Sequence, residues 1–95
     1  MYIRSVTFSY DPAQEERVLH IIDEQVLPAY QKMLGFIRII VGFDRAAQRG
    51  LSVMIWDTLE HAAGARTALG SLVQQLEAIG VRFDPGQVYE LVRQV

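Results

Sequence analysis

The sequence predicts an α+β fold in which two helices cover one face of an antiparallel sheet. Three observations lead to this prediction. The hydrophobic period alternates between two and about 3.6 residues, glycine and proline separate the periodic segments, and the segments follow the order strand, helix, strand, strand, helix, strand. A chain of 95 residues has an adequate but thin core. We therefore expect a single domain over residues 1–95.

The first strand and the first helix follow each other directly. Large and small side chains alternate over residues 2–10, as in a strand. Asp11 is then predicted to cap a helix that has Pro12 in its first turn. This helix, from about 12 to 33, has an apolar stripe formed by Val18, Ile22, Val26, Ala29 and Met33. Pro28 removes a backbone hydrogen bond within it, so we expect a kink or a division into two helices.

Two strands, at 36–43 and 51–56, are predicted to form an antiparallel hairpin after Gly35 ends the helix. The residues predicted to pack under the helices are Ile37, Ile39, Val41, Leu51, Val53 and Ile55. The residues predicted to share the open face are Phe36, Arg38, Ile40, Ser52, Met54 and Trp56. A register slip of one residue would exchange the two faces of a strand.

The second helix is predicted to begin at a capping box formed by Asp57 and Glu60. Its apolar stripe comprises Ala62, Ala65, Leu69, Leu72, Val73, Leu76 and Ile79. Gly70 favours a break within the helix, and a turn at 84–86 leads to a last strand over 87–95. This order of elements is the split βαβ arrangement of ferredoxin-like domains, with a four-stranded antiparallel sheet.

The composition narrows the classes of function. Hydrophobic residues make up 51% of the chain, more than a small monomer buries easily, which favours a homodimer. The net charge is −2 and the arginines are dispersed, so we expect no nucleic-acid partner. No apolar run reaches the ~20 residues of a membrane span, and we expect a cytoplasmic protein without a membrane partner. Without cysteine, thiolate metal sites and thiol nucleophiles are excluded.

Three segments together resemble the antibiotic biosynthesis monooxygenase family of dimeric α+β barrels. They are "VLPAY" (26–30) ahead of Gly35 and Phe36, "IWDTLEHA" (55–62) and "YEL" (89–91). Leu34 stands where a proline would be expected before the Gly-Phe pair. The resemblance covers essentially the whole chain. It implies that two ferredoxin-like subunits press their sheets together through the open face, predicted to carry Phe36, Ile40 and Met54.

The resemblance also implies a ligand. Family members hold a small aromatic or polyketide-like compound in a cavity between helices and sheet, and some oxygenate it with O2 without metal or flavin. By this resemblance we expect no cofactor and no metal, and we expect Trp56, Ser52, Met54, Arg38 and Tyr30 to bind the ligand. Arg38 or Arg93 would stabilise an anion. The catalytic residues are left unassigned.

Two departures from the family leave the function open. The chain contains no asparagine, the residue expected beside the strand-end tryptophan in catalytic relatives, and Ser52 is the nearest polar substitute. Haem-degrading relatives have a histidine further along the second helix, where this chain has Arg66, so haem degradation is not expected. A cofactor-free oxygenase and a non-catalytic dimeric binding or assembly domain both remain, and Trp56 is either a pocket wall or a core aromatic.

Two further groups are interpreted as surface features. Glu16, His20 and Glu24 lie at four-residue spacing with Asp23 beside them, which imitates a metal site but is typical of a solvated helix face. His61 is expected at the surface near the start of the second helix.

Overall fold

The structure, a computed structural model, describes all 95 residues. Its strands are β1 (Tyr2–Ser9), β2 (Phe36–Asp44), β3 (Arg49–Trp56), β4 (Arg82–Phe83) and β5 (Gln87–Glu90). Its first helical region consists of a 3-10 turn (Pro12–Gln14), α1 (Glu15–Ile21), a π-helical turn (Ile22–Val26) and α2 (Leu27–Gln31). The second helical region consists of α3 (Leu59–Leu69) and α4 (Ser71–Ala78).

The sheet confirms the predicted ferredoxin-like α+β fold. All strand pairs are antiparallel, the order is β2-β3-β1, and β4 and β5 follow each other along the free edge of β1. The prediction of one last strand over 87–95 was wrong, because β5 ends at Glu90 and the short β4 precedes it. Pro85 lies between the two strands, and its lack of a backbone N–H prevents a continuous ladder there.

The first helical region is divided in two as predicted, but a π-helical turn before Pro28 separates the two α-helices. The helix is not broken at Pro28; it widens into the π-helical turn just before it, where the N–H of Leu27 donates to the carbonyl of Ile22. The wider turn shifts the inward face of the following residues. Tyr30 is therefore buried, whereas the predicted Ala29 and Met33 are only partly buried.

The predicted assignment of sheet faces was wrong for β3. Met54 and Trp56 are each 1% exposed and lie under the helices. Met54 is directly opposite Arg4 of β1, and directly opposed residues share a face. Ser52 consequently shares this inner face, and the residues that occupy the open face are Leu51, Val53 and Ile55.

On β2 the prediction was correct for Ile39 and Val41, which pack against the core. It was wrong for Phe36 and Ile37. A β-bulge inserts Ile37 as an extra residue, so that Phe36 turns inward and Ile37 is 49% exposed.

The glycine and cap predictions have mixed outcomes. Gly35 (φ 84°) and Gly70 (φ 59°) adopt left-handed backbone conformations where the two helical regions were predicted to end or break. The predicted Asp57 cap was wrong by one residue, because the Thr58 side chain accepts from the N–H of His61 at 3.2 Å. Asp57 pairs with the His61 ring instead.

The core is small and lies between the helices and the sheet. Only 14 of the 95 residues are buried, so much of the apolar surface is left uncovered. On the open face Ile40 is 53% exposed, Leu51 42% and Tyr89 51%. No helix has the length and apolar character needed to cross a membrane.

Candidate functional site

Two neighbouring spaces separate the first helical region from the sheet. An inner cavity of about 60 Å³ is apolar apart from Tyr30 and Ser52. A surface groove of about 570 Å³ runs between α1, the π-helical turn, α2 and β2. Ile22, Ile39 and Val41 line both spaces. Movement of these three side chains would therefore join the cavity to the groove.

The groove by itself has the volume of a small-ligand site, whereas the inner cavity by itself does not. The inner cavity has room for a few water molecules. Ligand pockets usually measure about 300 to 1,000 Å³, a range that includes the groove. The π-helical turn supplies Ile22 to both spaces and Val26 to the cavity, and such turns occur frequently at functional sites.

An aromatic cluster adjoins the inner cavity through Tyr30. The Trp56 ring contacts Phe36 and Tyr30 edge to face, with ring centroids 5.6 and 6.1 Å apart, and Tyr30 stacks on Phe36. Aromatic pairs of this geometry add about 0.5 to 1.5 kcal/mol beyond their buried area. Trp56 is therefore held rigidly, and on its far side it lines a shallow depression with His61 and Leu34.

Tyr30 is the titratable group of the inner cavity, and its pKa is shifted. Burial raises the pKa of its hydroxyl to about 12, against the opposing effect of the Arg4 and Arg66 cations. The phenol is therefore neutral at physiological pH and has a proton to donate.

Arg4 is a buried cation without a counter-ion. The residue is 8% exposed, and the ion pairs of the structure involve Arg45, Arg49 and His61 instead. Arg4 Nε and Trp56 Nε1 are both buried without a hydrogen-bond acceptor. Burial lowers the pKa of the Arg4 guanidinium, which nevertheless stays charged. Such groups are rarely buried unless they are paired.

Asp57 and His61 form a fixed pair at the start of α3. The Asp57 carboxylate accepts from His61 Nδ1 at 2.6 Å, and this bond lowers the pKa of Asp57. The backbone N–H of Asp57 donates to the carbonyl of Gly35 at 3.0 Å. The pair orients the other ring nitrogen of His61, in the way that carboxylates orient catalytic histidines.

The structure brings together some of the residues that were predicted to bind a ligand. Tyr30 and Ser52 line the inner cavity, Trp56 contacts Tyr30, and Met54 lies on the same sheet face. Arg38 is separate, because it is exposed on β2 beyond the bulge, opposite Ile55 of the open face. Ligand binding by these residues stays a prediction.

The residue that the sequence reasoning missed is Arg4. A signal for it existed, since Arg4 lies in the alternating run of β1 at the same parity as Tyr2, Val6 and Phe8. A single cation on the apolar face of a strand is unusual.

The surface predictions agree with the structure. Glu16, His20, Asp23 and Glu24 are exposed. No group of three or more histidine, aspartate or glutamate side chains has the geometry to hold a metal ion.

Solved structures share this fold. SnoaB, a cofactor-independent oxygenase from Streptomyces nogalater, is 11% identical, with a TM-score of 0.77 over 99% of this chain and 95% of that one. A monooxygenase from Streptomyces coelicolor in complex with nanaomycin D is 16% identical, with a TM-score of 0.72 over 99% and 88%. A dimeric ferredoxin-like protein from an uncultured marine organism is 15% identical, with a TM-score of 0.77 over 100% and 98%.

The likeness defines the class of the protein by fold. The chain has the ferredoxin-like fold seen in antibiotic biosynthesis monooxygenases, among them a cofactor-independent oxygenase. No family model and no curated protein matches the sequence. At identities of 11 to 16%, these similarities concern the fold.

Proposed function

We propose that the protein is a homodimer of the antibiotic biosynthesis monooxygenase type that binds a small aromatic or polyketide-like compound between its helices and its sheet. The observation that carries this proposal is the inner cavity and the adjoining groove, which share Ile22, Ile39 and Val41. The cavity offers an apolar surround with the Tyr30 and Ser52 hydroxyls, which is the composition typical of sites for small ligands.

The proposed reaction is oxygenation of a phenol or quinol without a cofactor. The ionised substrate passes an electron to O2, and after recombination one oxygen atom replaces two hydrogens of the substrate while the other leaves as water. The substrate thus supplies all four electrons. The protein contributes orientation, exclusion of water and hydrogen bonds to the anion. The relatives described as a cofactor-independent oxygenase and as a nanaomycin D complex support this choice.

Dimerisation through the open face of the sheet is part of the proposal. Ile40, Leu51 and Tyr89 are exposed there, although Phe36 and Met54, which were expected beside Ile40, lie on the inner face. A solved structure with the same fold that is described as a dimeric ferredoxin-like protein supports dimerisation. We expect an interface of the stable class, which buries more than about 1,200 Å² in total.

A fluorescence titration tests binding. Trp56 is the only tryptophan, so its emission reports on one place beside the cavity. We expect nanaomycin D and reduced tricyclic phenols such as dihydroxyanthrone to quench this emission saturably. Oxygen uptake with dihydroxyanthrone, and a product in which oxygen replaces two hydrogens, would demonstrate the reaction.

A pair of tyrosine variants provides the control. Tyr30→Phe removes the cavity hydroxyl and is expected to weaken binding. Tyr10→Phe removes the hydroxyl of another buried tyrosine, which donates to Glu15 outside the cavity, and this variant is expected to bind normally. Saturable binding without oxygen uptake would favour the non-catalytic alternative, which the lack of asparagine supports. The absence of binding across the panel would refute the proposal.

A further inference from the structure

We propose that Arg4, with Trp56 Nε1 and Tyr30 beside it, forms a binding site for an anionic oxygen, and that the ligand of the protein is therefore an aromatic carboxylate or phenolate. This inference rests on the proposed function and adds to it the charge of the ligand and the residue that recognises it.

The first argument is the chemistry of the unpaired atoms. Only two buried side-chain nitrogen or oxygen atoms lack a hydrogen-bond partner, Arg4 Nε and Trp56 Nε1, and both are N–H donors with no capacity to accept. The partner that these two donors lack must therefore be a hydrogen-bond acceptor. Because Arg4 also carries a full positive charge, an anionic acceptor would form the strongest bonds.

The second argument is position. Arg4 is opposite Met54 on the inner face of the sheet, and Trp56 is two residues further along the same strand. The two donors are therefore on diagonally neighbouring residues, within reach of long side chains. Tyr30 contacts the Trp56 ring and lies in the electrostatic field of Arg4, so the residue that carries a third donor neighbours both.

The third argument is that the chain makes room for the cation and supplies no carboxylate to it. The guanidinium packs directly on Gly86, where a Cβ atom would be 2.6 Å from Nη2. The nearby charged group is another cation, Arg66, which adds to the positive field and lies over the Phe83 ring at 5.4 Å. Phe83 and Tyr30 both line the inner cavity. The positive field therefore extends to the cavity wall.

A structural role for Arg4 makes a different prediction. An arginine that stabilised the fold would have internal acceptors, and its removal would leave them unpaired. Arg4 has none, so replacing it with methionine removes an uncompensated buried charge. We expect Arg4→Met to keep or raise the melting temperature of the free protein while it abolishes the preference for anions.

The test compares dihydroxynaphthoate with its neutral methyl ester, by Trp56 fluorescence, in the wild-type protein. We expect the carboxylate to bind about 10- to 100-fold more tightly, as a charge-assisted hydrogen bond implies. The difference should disappear in Arg4→Met and persist in Arg17→Met, which removes an exposed arginine of α1. The comparison of acid with ester uses the wild-type protein alone, so it tests the preference for an anion even if Arg4→Met does not fold.

The outcomes separate the two proposals. The affinity for the ester is also measured as the pH increases and its phenol ionises. If this affinity rises in the wild type and does not rise in Arg4→Met, the protein binds the phenolate, and the inference is supported. Equal binding of acid and ester, without such a rise, overturns the inference and leaves the proposed function intact. If neither compound nor the neutral phenols bind, both proposals fail together.

Discussion

Trp56 shows at the scale of one residue how core packing and ligand binding coincide in this protein. Its ring is 1% exposed and fixed by two aromatic neighbours, yet its N–H has no acceptor. Packing alone does not require the indole N–H, which phenylalanine lacks. The unpaired N–H is what distinguishes the two roles.

Substitutions of Trp56 separate these roles by stability. Trp56→Ala is expected to cost about 3 to 5 kcal/mol of unfolding free energy, because it leaves a cavity in a small core. Trp56→Phe is expected to cost much less, because it keeps an aromatic ring and removes an unpaired buried donor. Chemical denaturation of both variants measures the difference, and similar losses for the two would contradict this view of the N–H.

The ionisation of Tyr30 makes stability depend on pH in the alkaline range. Its pKa is about 12 in the folded protein and about 10 in an unfolded chain. The unfolded state therefore loses its proton first. The contribution of the neutral Tyr30 hydroxyl to the free energy of unfolding is fully present below pH 10. It is lost between about pH 10 and 12 and amounts to roughly 2 to 3 kcal/mol. Denaturation at several pH values should show a smaller decline in Tyr30→Phe than in the wild type.

At the scale of elements, two glycines have opposite roles. Gly35 has a φ of 84°, and a Cβ atom there would lie 2.2 Å from Asp57 Oδ1 and 2.3 Å from His61 Nδ1. The turn before β2 therefore packs directly on the Asp57 and His61 pair. Gly64 lies within α3, and a Cβ atom there would meet nothing within 4 Å.

Alanine substitutions at the two glycines should shift stability in opposite directions. Gly64→Ala is expected to raise it by about 0.4 to 1 kcal/mol, because it adds helix propensity without a clash. Gly35→Ala is expected to lower it by more than 1 kcal/mol and to displace His61 from Asp57. Thermal denaturation and the NMR shifts of the His61 ring check both effects. A neutral Gly35→Ala would show that the turn is not tightly packed.

At the scale of the whole molecule, the uncovered sheet face determines the expected assembly. We predict that Ile40→Glu dissociates the homodimer, because it places a charge in the interface without a partner. Leu59→Glu is the control, because Leu59 has the same 53% exposure but lies at the start of α3. Light scattering at micromolar concentration measures the mass. A monomeric wild type, or a dimer that survives Ile40→Glu, would contradict the proposed interface.

The sequence by itself determined the ferredoxin-like class, the order of the elements apart from β4, the break at Gly70 and the division of the first helical region near Pro28. Local signals carry these features, since period, glycine conformation and proline chemistry act within a few residues. It also identified Tyr30, Ser52 and Trp56 as candidates for one site. It did not determine which face of β3 is buried.

Only the tertiary structure decided the faces of the sheet, because side chains alternate every residue and both faces of β2 and β3 are apolar. The register against β1 placed Met54 and Trp56 on the inner face. The bulge at Ile37 turned the Phe36 side chain from the predicted open face to the inner face. The π-helical turn likewise brought Tyr30 to the cavity in place of Ala29. The isolation of Arg4 from every carboxylate depends on contacts between distant segments, which no local pattern encodes.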